Sequence, residues 1–326
     1  MIYPEFPGKG DIIGICAPSA GIGDRTETFD LSIETLHKAG FKVWETDSVR
    51  SPESPSAPAE VRGAEFNALW EDDDIAAVIS ATGGDFNFEM VPFIDTGLVS
   101  AKPKWFAGYS DPTSIEMLLT TRLDIATIYG CNAGAWDWRP LHKFQENSLE
   151  IISGNLITQH SFEMYNGTRS FEDGYEMDTP VYWDLFNTES LDVTGRLIGG
   201  CIEVIDSVIG TPYEDISGFV ERYADDGFIW FFDPFNSDPI ALYLKILKMK
   251  YMGFFENAKA VVFGRVMFTD SEDYEYVELL ERALADVPFI WGADIGHTKP
   301  SMTIINGSIG HLQCADGKAS LDMELK

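Results

Sequence analysis

The feature that most constrains the fold is the alternation, through the first 130 residues, of short apolar runs with longer segments of helical periodicity. The apolar runs that predict strands lie at about 11–16, 41–46, 75–80, 104–109 and 126–129. Between them, segments 27–38 and 60–70 repeat apolar residues on one helical face. This alternation is typical of a parallel sheet with crossover helices. We therefore predict an open α/β layer for the N-terminal half.

The composition changes near residue 160, where a stretch rich in Gly, acidic and aromatic residues lacks clear periodicity. We predict an N-terminal α/β domain at 1–165, a linker or lid at 166–190, and a mixed α/β domain at 191–326. Further strands of the second domain are expected near residue 195 and at 228–232, 259–263, 288–291, 303–306 and 309–314. At a length of 326 residues, two domains agree with about 150 residues per domain.

One helix of the second domain has a clear start signal. Ser237 is a suitable N-cap and Pro239 suits a first helical turn. Ile240, Leu244 and Leu247 then form an apolar stripe that predicts a helix reaching Gly253.

The charge balance excludes several partners. The chain has 23 Lys and Arg against 53 Asp and Glu, a formal net charge of −30, yet 45% of its residues are hydrophobic. Such a chain folds, but it repels polyanions, so neither nucleic acid nor an anionic membrane is an expected partner. The four cysteines, Cys16, Cys131, Cys201 and Cys314, lack metal-ligand spacing and predict reduced core thiols. No signal peptide or long apolar run is found in the sequence, so we expect a soluble, cytoplasmic protein. Neither a metal nor a cofactor is expected.

The most informative motif runs from Lys104 to Thr113, where an apolar strand ends at Gly108-Tyr109-Ser110 and a helix follows at once. A serine on such a sharp turn exposes its hydroxyl, while the helix start offers N–H groups to an oxyanion. The motif alone is weak, because Pro112 stands where hydrolases have a second glycine. The alternative is an N-cap serine before a helix that begins with proline.

A serine nucleophile needs a base and an orienting acid. His297 lies in a Gly-flanked loop between apolar strands. Of the other four histidines, His37 and His142 are expected at the surface, and two more, at 160 and 311, lie near strand ends. Asp233 follows directly after the apolar run 228–232. The alternatives are a histidine that binds a loop carbonyl and an Asp-Pro pair that starts a turn.

The turn Thr82-Gly83-Gly84-Asp85 follows the third strand and lets backbone N–H groups approach a ligand. Its alternative is an ordinary glycine turn. It matches neither a dinucleotide fingerprint nor a Walker loop, so a nucleotide phosphate cradle is not predicted.

In order along the chain, five motifs resemble the serine LD-carboxypeptidase family, which includes the microcin C self-immunity peptidases. They are Gly10 to Ser19, Thr82 to Asp85, Gly108 to Thr113, Gly195 to Gly200 with Gly210 to Tyr213, and Gly296-His297. The resemblance implies a flavodoxin-like domain that carries the serine and a swivelling second domain that carries the acid and the histidine. It also implies a homodimer.

Carried over by position, the resemblance makes Ser110 the nucleophile, His297 the general base and Asp233 the orienting acid. It assigns the oxyanion hole to the backbone N–H groups of Asp111 and of Gly83 or Gly84. Candidate substrate-binding residues are Trp183, Arg196, Arg265 and Lys299; the tryptophan belongs to an aromatic segment with Tyr175, Tyr182 and Phe186.

The sequence departs from the family at three places. Asp233 replaces the catalytic Glu, with Ser237 at that segment's next acidic position; Cys201 replaces the usual Asn; and Gly130-Cys131-Asn132 replaces a Gly-Pro. The first hypothesis is a serine hydrolase that cleaves an amide near a free carboxylate, in a muropeptide LD-tetrapeptide or a peptidyl-nucleotide. The alternatives are a non-catalytic two-domain binding protein that retains the cleft and, less favoured, an NAD-dependent oxidoreductase.

Overall fold

The computed structural model describes residues 1–168, 176–267, 274–285 and 287–326. The chain forms two compact units. The first contains Met1–Leu156 with the segments Gly210–Asp215 and Thr303–Asn306, and the second contains Ile157–Ile209, Ile216–Met302 and Gly307–Lys326.

Strands and helices alternate through Met1–Leu156. The strands are β1 (Ile12–Cys16), β2 (Lys42–Glu45), β3 (Ile75–Ser80), β4 (Trp105–Gly108) and β5 (Thr127–Tyr129). The helices are α1 (Thr26–Ala39), α2 (Ala59–Glu71), α3 (Asn87–Met90), α4 (Thr96–Ala101), α5 (Thr113–Met117) and α6 (Lys143–Ile152). The five strands and two long helices predicted from periodicity are confirmed.

The remaining elements follow in chain order. The strands are β6 (Gln159–His160), β7 (Met164–Tyr165), β8 (Thr179–Pro180), β9 (Asp184–Phe186), β10 (Leu191–Cys201), β11 (Phe228–Asp233), β12 (Ala258–Gly264), β13 (Phe289–Ala293), β14 (Ile304–Asn306), β15 (Ile309–Ala315) and β16 (Lys318–Glu324). The helices are α7 (Ile202–Val208), α8 (Ile216–Arg222), α9 (Pro239–Tyr251) and α10 (Tyr276–Leu284).

The first sheet has the strand order β14-β5-β4-β3-β1-β2. Its strands are parallel except for β14, which pairs antiparallel with β5. The core beneath this sheet is built from buried apolar side chains, among them Phe66, Trp70 and Phe106. Because all the parallel strands end at one edge, the loops that follow β1, β3 and β4 lie together there.

The second sheet has the strand order β6-β16-β15-β10-β11-β12-β13-β9. The four central strands β10 to β13 are parallel, and the flanking strands are antiparallel. The predicted α/β fold, with a parallel sheet in the first half and a second sheet domain, is confirmed. Cys201 pairs with Asp233, so both stand at the carboxyl ends of neighbouring strands.

Three details differ from the sequence-based expectations. The run 303–306 forms β14 of the first sheet rather than a strand of the second, because it pairs with the edge strand β5. The unit boundary falls after Leu156, and the described part of the predicted linker belongs to the second unit, where β9 pairs with β13. The linker residues 169–175 lie outside the described residues.

Helix α9 forms where it was predicted, but with a different cap and a different buried face. Its N-cap is Asp238, whose side chain accepts a hydrogen bond from the Ala241 N–H at 2.8 Å. The buried face is Leu242, Ile246 and Met249, while Ile240 and Leu244 of the predicted stripe are exposed.

All four cysteines are free and buried, as predicted for core thiols. No helix in the described part of the chain is long and apolar enough to cross a membrane.

Candidate active site

Ser110 lies immediately beyond β4 and adopts a left-handed backbone conformation, with φ of 71°. A non-glycine residue pays strain for that conformation, and such strain is concentrated at functional turns. The turn is closed by Thr113, whose N–H and hydroxyl both donate to the Ser110 carbonyl, at 3.0 and 2.6 Å. Helix α5 starts at Thr113 with Pro112 as its N-cap residue. Ser110 is therefore not the N-cap, and the turn has the geometry of a nucleophile elbow.

The glycine turn after β3 lies beside Ser110. A Cβ added to Gly83 would stand 3.2 Å from Ser110 Cβ and 3.3 Å from Ser110 Oγ, so the absence of a side chain keeps this backbone close to the hydroxyl. The next residue, Gly84, has φ of 146°, a conformation that L-residues rarely adopt. The structure therefore brings Gly83, Gly84 and Asp111 to the same strand-end region as Ser110.

The Asp111 side chain ties three loops together. Its Oδ2 accepts hydrogen bonds from the Ser19 hydroxyl and, at 2.8 Å, from the Asn87 N–H. Asn87 Nδ2 donates in return to the Asp111 carbonyl at 3.1 Å, and the Phe86 N–H donates to Ser19 Oγ at 3.0 Å. Ser19 follows β1, Asn87 begins α3 after β3, and Asp111 follows β4, so one carboxylate joins two neighbouring loops to the residue directly after Ser110.

Burial raises the pKa of Asp111 to about 6, against hydrogen bonds from Ser19 and Asn87 that favour its ionised form. The side chain is 5% exposed, so desolvation dominates.

In the second unit, Asp233 and His297 form a buried pair. His297 Nδ1 lies 2.8 Å from Asp233 Oδ2, and the His297 backbone N–H donates to Asp233 Oδ1 at 3.2 Å. Asp233 is fully buried at the end of β11, and His297 is 6% exposed. A carboxylate this close to Nδ1 favours the tautomer that carries its proton on Nδ1 and leaves Nε2 as the proton acceptor.

Gly296 makes this pair sterically feasible. Its φ is 93°, and a Cβ at this position would clash with the Asp233 carboxylate. The Phe235 ring covers the imidazole of His297, with ring centroids 4.4 Å apart. Lys299 Nζ donates to the Gly296 carbonyl at 3.2 Å, so this cation lies on the same loop as the histidine.

Two of the predicted substrate-binding residues share one buried carboxylate, Asp294. Arg265 Nη2 donates to Asp294 Oδ1 at 2.7 Å, and Trp183 Nε1 donates to Asp294 Oδ2 at 3.0 Å. Trp183 is 2% exposed, so its ring is core and offers no open face for stacking. Of the other aromatics in its segment, Phe186 stacks on Phe289 and Tyr182 is exposed, while Tyr175 lies outside the described residues.

Arg196 is not near the Asp233–His297 pair. It pairs in register with Phe228 at the start of β11, whereas Asp233 is at the end of that strand. Its guanidinium donates to Asp226 Oδ2 at 2.6 and 2.8 Å and lies 3.9 Å from the Tyr223 ring centroid. We therefore exclude Arg196 from the candidate site.

Some residues of the site have no signal in the local sequence. The Asp111, Ser19 and Asn87 network joins positions up to 92 residues apart, and Glu203, which contacts the loop after Asp233, resembles an ordinary helix residue. Among the described residues, no group of three or more His, Cys, Asp or Glu side chains is arranged to hold a metal ion.

Comparison with known proteins decides the family. The profile of the LD-carboxypeptidase N-terminal domain matches residues 13–130, and that of the LD-carboxypeptidase C-terminal domain matches residues 194–312. The chain belongs to the LD-carboxypeptidase family.

Curated relatives of this family member align over nearly the whole chain. A putative carboxypeptidase of Vibrio cholerae is 24% identical over 316 residues, covering 93% of this chain and 92% of the relative. A probable murein peptide carboxypeptidase of Bacillus subtilis is 22% identical, with coverage of 98% and 94%. The microcin C7 self-immunity protein of Escherichia coli is 25% identical, with coverage of 90% and 88%.

Solved structures show the same fold. The microcin C7 self-immunity protein in complex with aspartyl sulfamoyl adenosine superposes with a TM-score of 0.81 at 21% identity, covering 100% of both chains. A muramoyltetrapeptide carboxypeptidase from Oxalobacter formigenes superposes with a TM-score of 0.75 at 22% identity, covering 96% of this chain and 98% of that one.

The raised pKa of Asp111 makes a prediction about stability. A carboxyl group whose pKa is higher in the folded than in the unfolded protein stabilises the fold below the unfolded pKa, and this contribution is lost as the pH rises through the folded pKa. With a pKa of about 6 in the folded protein and an ordinary value of 3.8, the free energy of unfolding of wild type should fall by about 2 kcal/mol through this group between pH 4 and pH 7. Asp111→Asn has no carboxyl group that titrates at this position. Its free energy of unfolding should therefore rise relative to that of wild type, by up to this amount, between pH 4 and pH 7.

Urea unfolding of both proteins at pH 4, 5, 6 and 7 measures the difference. A stability difference between the two that stays constant with pH would contradict the assigned titration.

Proposed function

We propose that this protein is a serine peptidase that hydrolyses an amide bond near a free carboxylate. Ser110 Oγ attacks the scissile carbonyl carbon, and His297 Nε2 accepts the hydroxyl proton and later delivers it to the leaving amine. Asp233 holds the imidazole through Nδ1 and stabilises its protonated form. The backbone N–H groups of Asp111 and of Gly83 or Gly84 donate to the tetrahedral oxyanion.

The observation that carries the proposal is the left-handed backbone of Ser110 directly after β4 and before α5, because strain of this kind is concentrated at functional turns. The Asp233–His297 contact of 2.8 Å is the second support. It supports Asp233 as the orienting acid, since the shorter carboxylate lies within reach of Nδ1. The reason to prefer a non-catalytic binding protein is correspondingly weaker.

Two substrate classes fit the proposal. The relatives include a probable murein peptide carboxypeptidase and a structure that holds aspartyl sulfamoyl adenosine. We propose that the substrate is either a muropeptide LD-tetrapeptide or a peptidyl-nucleotide amide, handled as a small soluble molecule in the cytoplasm.

The direct test compares wild type with Ser110→Ala on an LD-tetrapeptide and on an aminoacyl-sulfamoyl adenosine, with products followed by mass spectrometry. Wild type should turn over at least one substrate, and the alanine variant should lose about 10⁴-fold or more in kcat. The absence of turnover by wild type on both substrates, or an alanine variant as active as wild type, would refute the hydrolase proposal.

The length of the orienting acid makes a second prediction. Because the Asp233 carboxylate fills the space over Gly296, the longer family residue should not fit here without displacing the histidine loop. Asp233→Glu should therefore lower kcat/KM at least about 10-fold, and Asp233→Ala about 10⁴-fold. Steady-state kinetics on the better substrate measures both; full activity of Asp233→Glu would show that the pocket is not built for the shorter acid.

Among the predicted cations, Lys299 is the one we propose for the substrate carboxylate, because it is bound to the Gly296 carbonyl on the histidine loop, whereas Arg196 is remote from the Asp233–His297 pair. Lys299→Met should raise KM for the tetrapeptide about 10-fold, the loss expected for one charge-assisted hydrogen bond. The control is Lys318→Met, since Lys318 pairs with Glu163 at the surface. An unchanged KM for Lys299→Met would exclude Lys299 from carboxylate binding.

A further inference from the structure

The carboxylate of Glu203 binds the loop that follows Asp233. Glu203 lies in the first turn of α7, and its Oε1 accepts from the N–H groups of Phe235, Asn236 and Ser237 at 3.2, 3.2 and 3.0 Å. The Ser237 hydroxyl donates to the same oxygen at 2.6 Å. Three consecutive backbone donors thus converge on one side chain.

The second carboxylate oxygen links the same residue to the strand beside Asp233. Glu203 Oε2 accepts from the Phe235 N–H at 3.2 Å and from Cys201 Sγ at 3.3 Å. Cys201 is the register partner of Asp233 across β10 and β11. Glu203 therefore joins the ends of two neighbouring strands, at the point where the catalytic carboxylate stands.

The bound loop reaches the imidazole through Phe235. The Phe235 ring lies on His297 with centroids 4.4 Å apart, and the Phe235 carbonyl accepts from the Met267 N–H at 3.0 Å. With both its N–H and its carbonyl held, Phe235 has little freedom, so its ring restricts the rotation of the imidazole against Asp233.

We infer that Glu203 is a positioning residue for the Asp233–His297 pair and acts through Phe235. A neutral amide replaces this carboxylate poorly. With the glutamine oxygen at the Oε1 position, its NH₂ would stand at the Oε2 position and face the Phe235 N–H and the Cys201 thiol, donor against donor, and the uncharged oxygen would bind the loop N–H groups more weakly than a carboxylate does. Because a displacement of about 1 Å near the reacting groups costs about 10²-fold in rate, a loosened Phe235 would impair the base without removing it.

The test follows the histidine itself, by proton NMR of the protein labelled with ¹⁵N-histidine. Wild type should show the low-field Nδ1–H signal of a histidine bonded to a carboxylate, assigned by its loss in His297→Gln. In Glu203→Gln this signal should shift or broaden, and kcat should fall about 10- to 100-fold while KM changes less than about 2-fold.

The chain offers a matched control in Glu65 on α2. Its half-buried carboxylate also accepts from a loop, from the Ser48 N–H at 3.1 Å and from the Ser48 hydroxyl. Glu65→Gln should leave both the signal and kcat as in wild type. The same change in both glutamate variants would overturn the inference, because the effect would then be general loosening.

A second variant decides the matter if Glu203→Gln does not fold, as judged by circular dichroism. Phe235→Leu keeps the backbone donors to Glu203 but removes the ring over the imidazole, so it should shift the His297 signal. Where both variants fold, their double mutant should be about as impaired as the worse single variant, because the two residues act in series. Wild-type signals in Phe235→Leu, or strictly additive losses, would overturn the inference.

The inference rests on the proposed function only for the kcat readout. If wild type hydrolyses neither substrate, the proposed function fails, and the His297 signal still decides the role of Glu203. If wild type is active but the signal and kcat are unchanged in folded Glu203→Gln, the inference alone fails.

Discussion

A buried carboxylate without a partner is strongly destabilising, and Asp233 is fully buried at the end of a central strand. It is compensated by His297, which supplies both its Nδ1 and its backbone N–H. The histidine loop must therefore pass directly over the strand end, and only a glycine at position 296 permits that approach. The interaction that orients the imidazole is thus also the interaction that fixes the loop between β13 and β14.

In the first unit, a buried acid likewise fixes the backbone near Ser110. Ser110 has a left-handed conformation, which persists only where the surrounding structure fixes it. The carboxylate of the next residue, Asp111, contributes by binding the loops after β1 and β3. The glycine turn after β3 also lies against Ser110, with Gly83 beside the hydroxyl. In both units, a buried acid at the carboxyl end of a parallel strand organises neighbouring loops, which is where α/β proteins place their sites.

The sequence predicts much of the first sheet because each strand is a short apolar run bounded by turn residues. Ser110, Asp233 and His297 could be nominated because each lies where such a run ends or a glycine loop begins. The strand at 304–306 was assigned to the wrong sheet, since an apolar run carries no information about its partner. The sequence predicts that Trp183 binds substrate, yet its indole N–H binds buried Asp294, a contact between positions 111 residues apart. Glu203 was missed for the same reason: its role depends on a loop more than thirty residues further along.

The central claim is that Ser110 is a nucleophile activated by His297. Its most direct measurement is the intact mass of the protein after reaction with a fluorophosphonate, followed by mapping of the modified peptide. Wild type should gain one adduct, located on Ser110, while Ser110→Ala should gain none and His297→Gln should react at least about 10²-fold more slowly. A folded wild type that stays unmodified, or an adduct that persists in Ser110→Ala, would contradict the account.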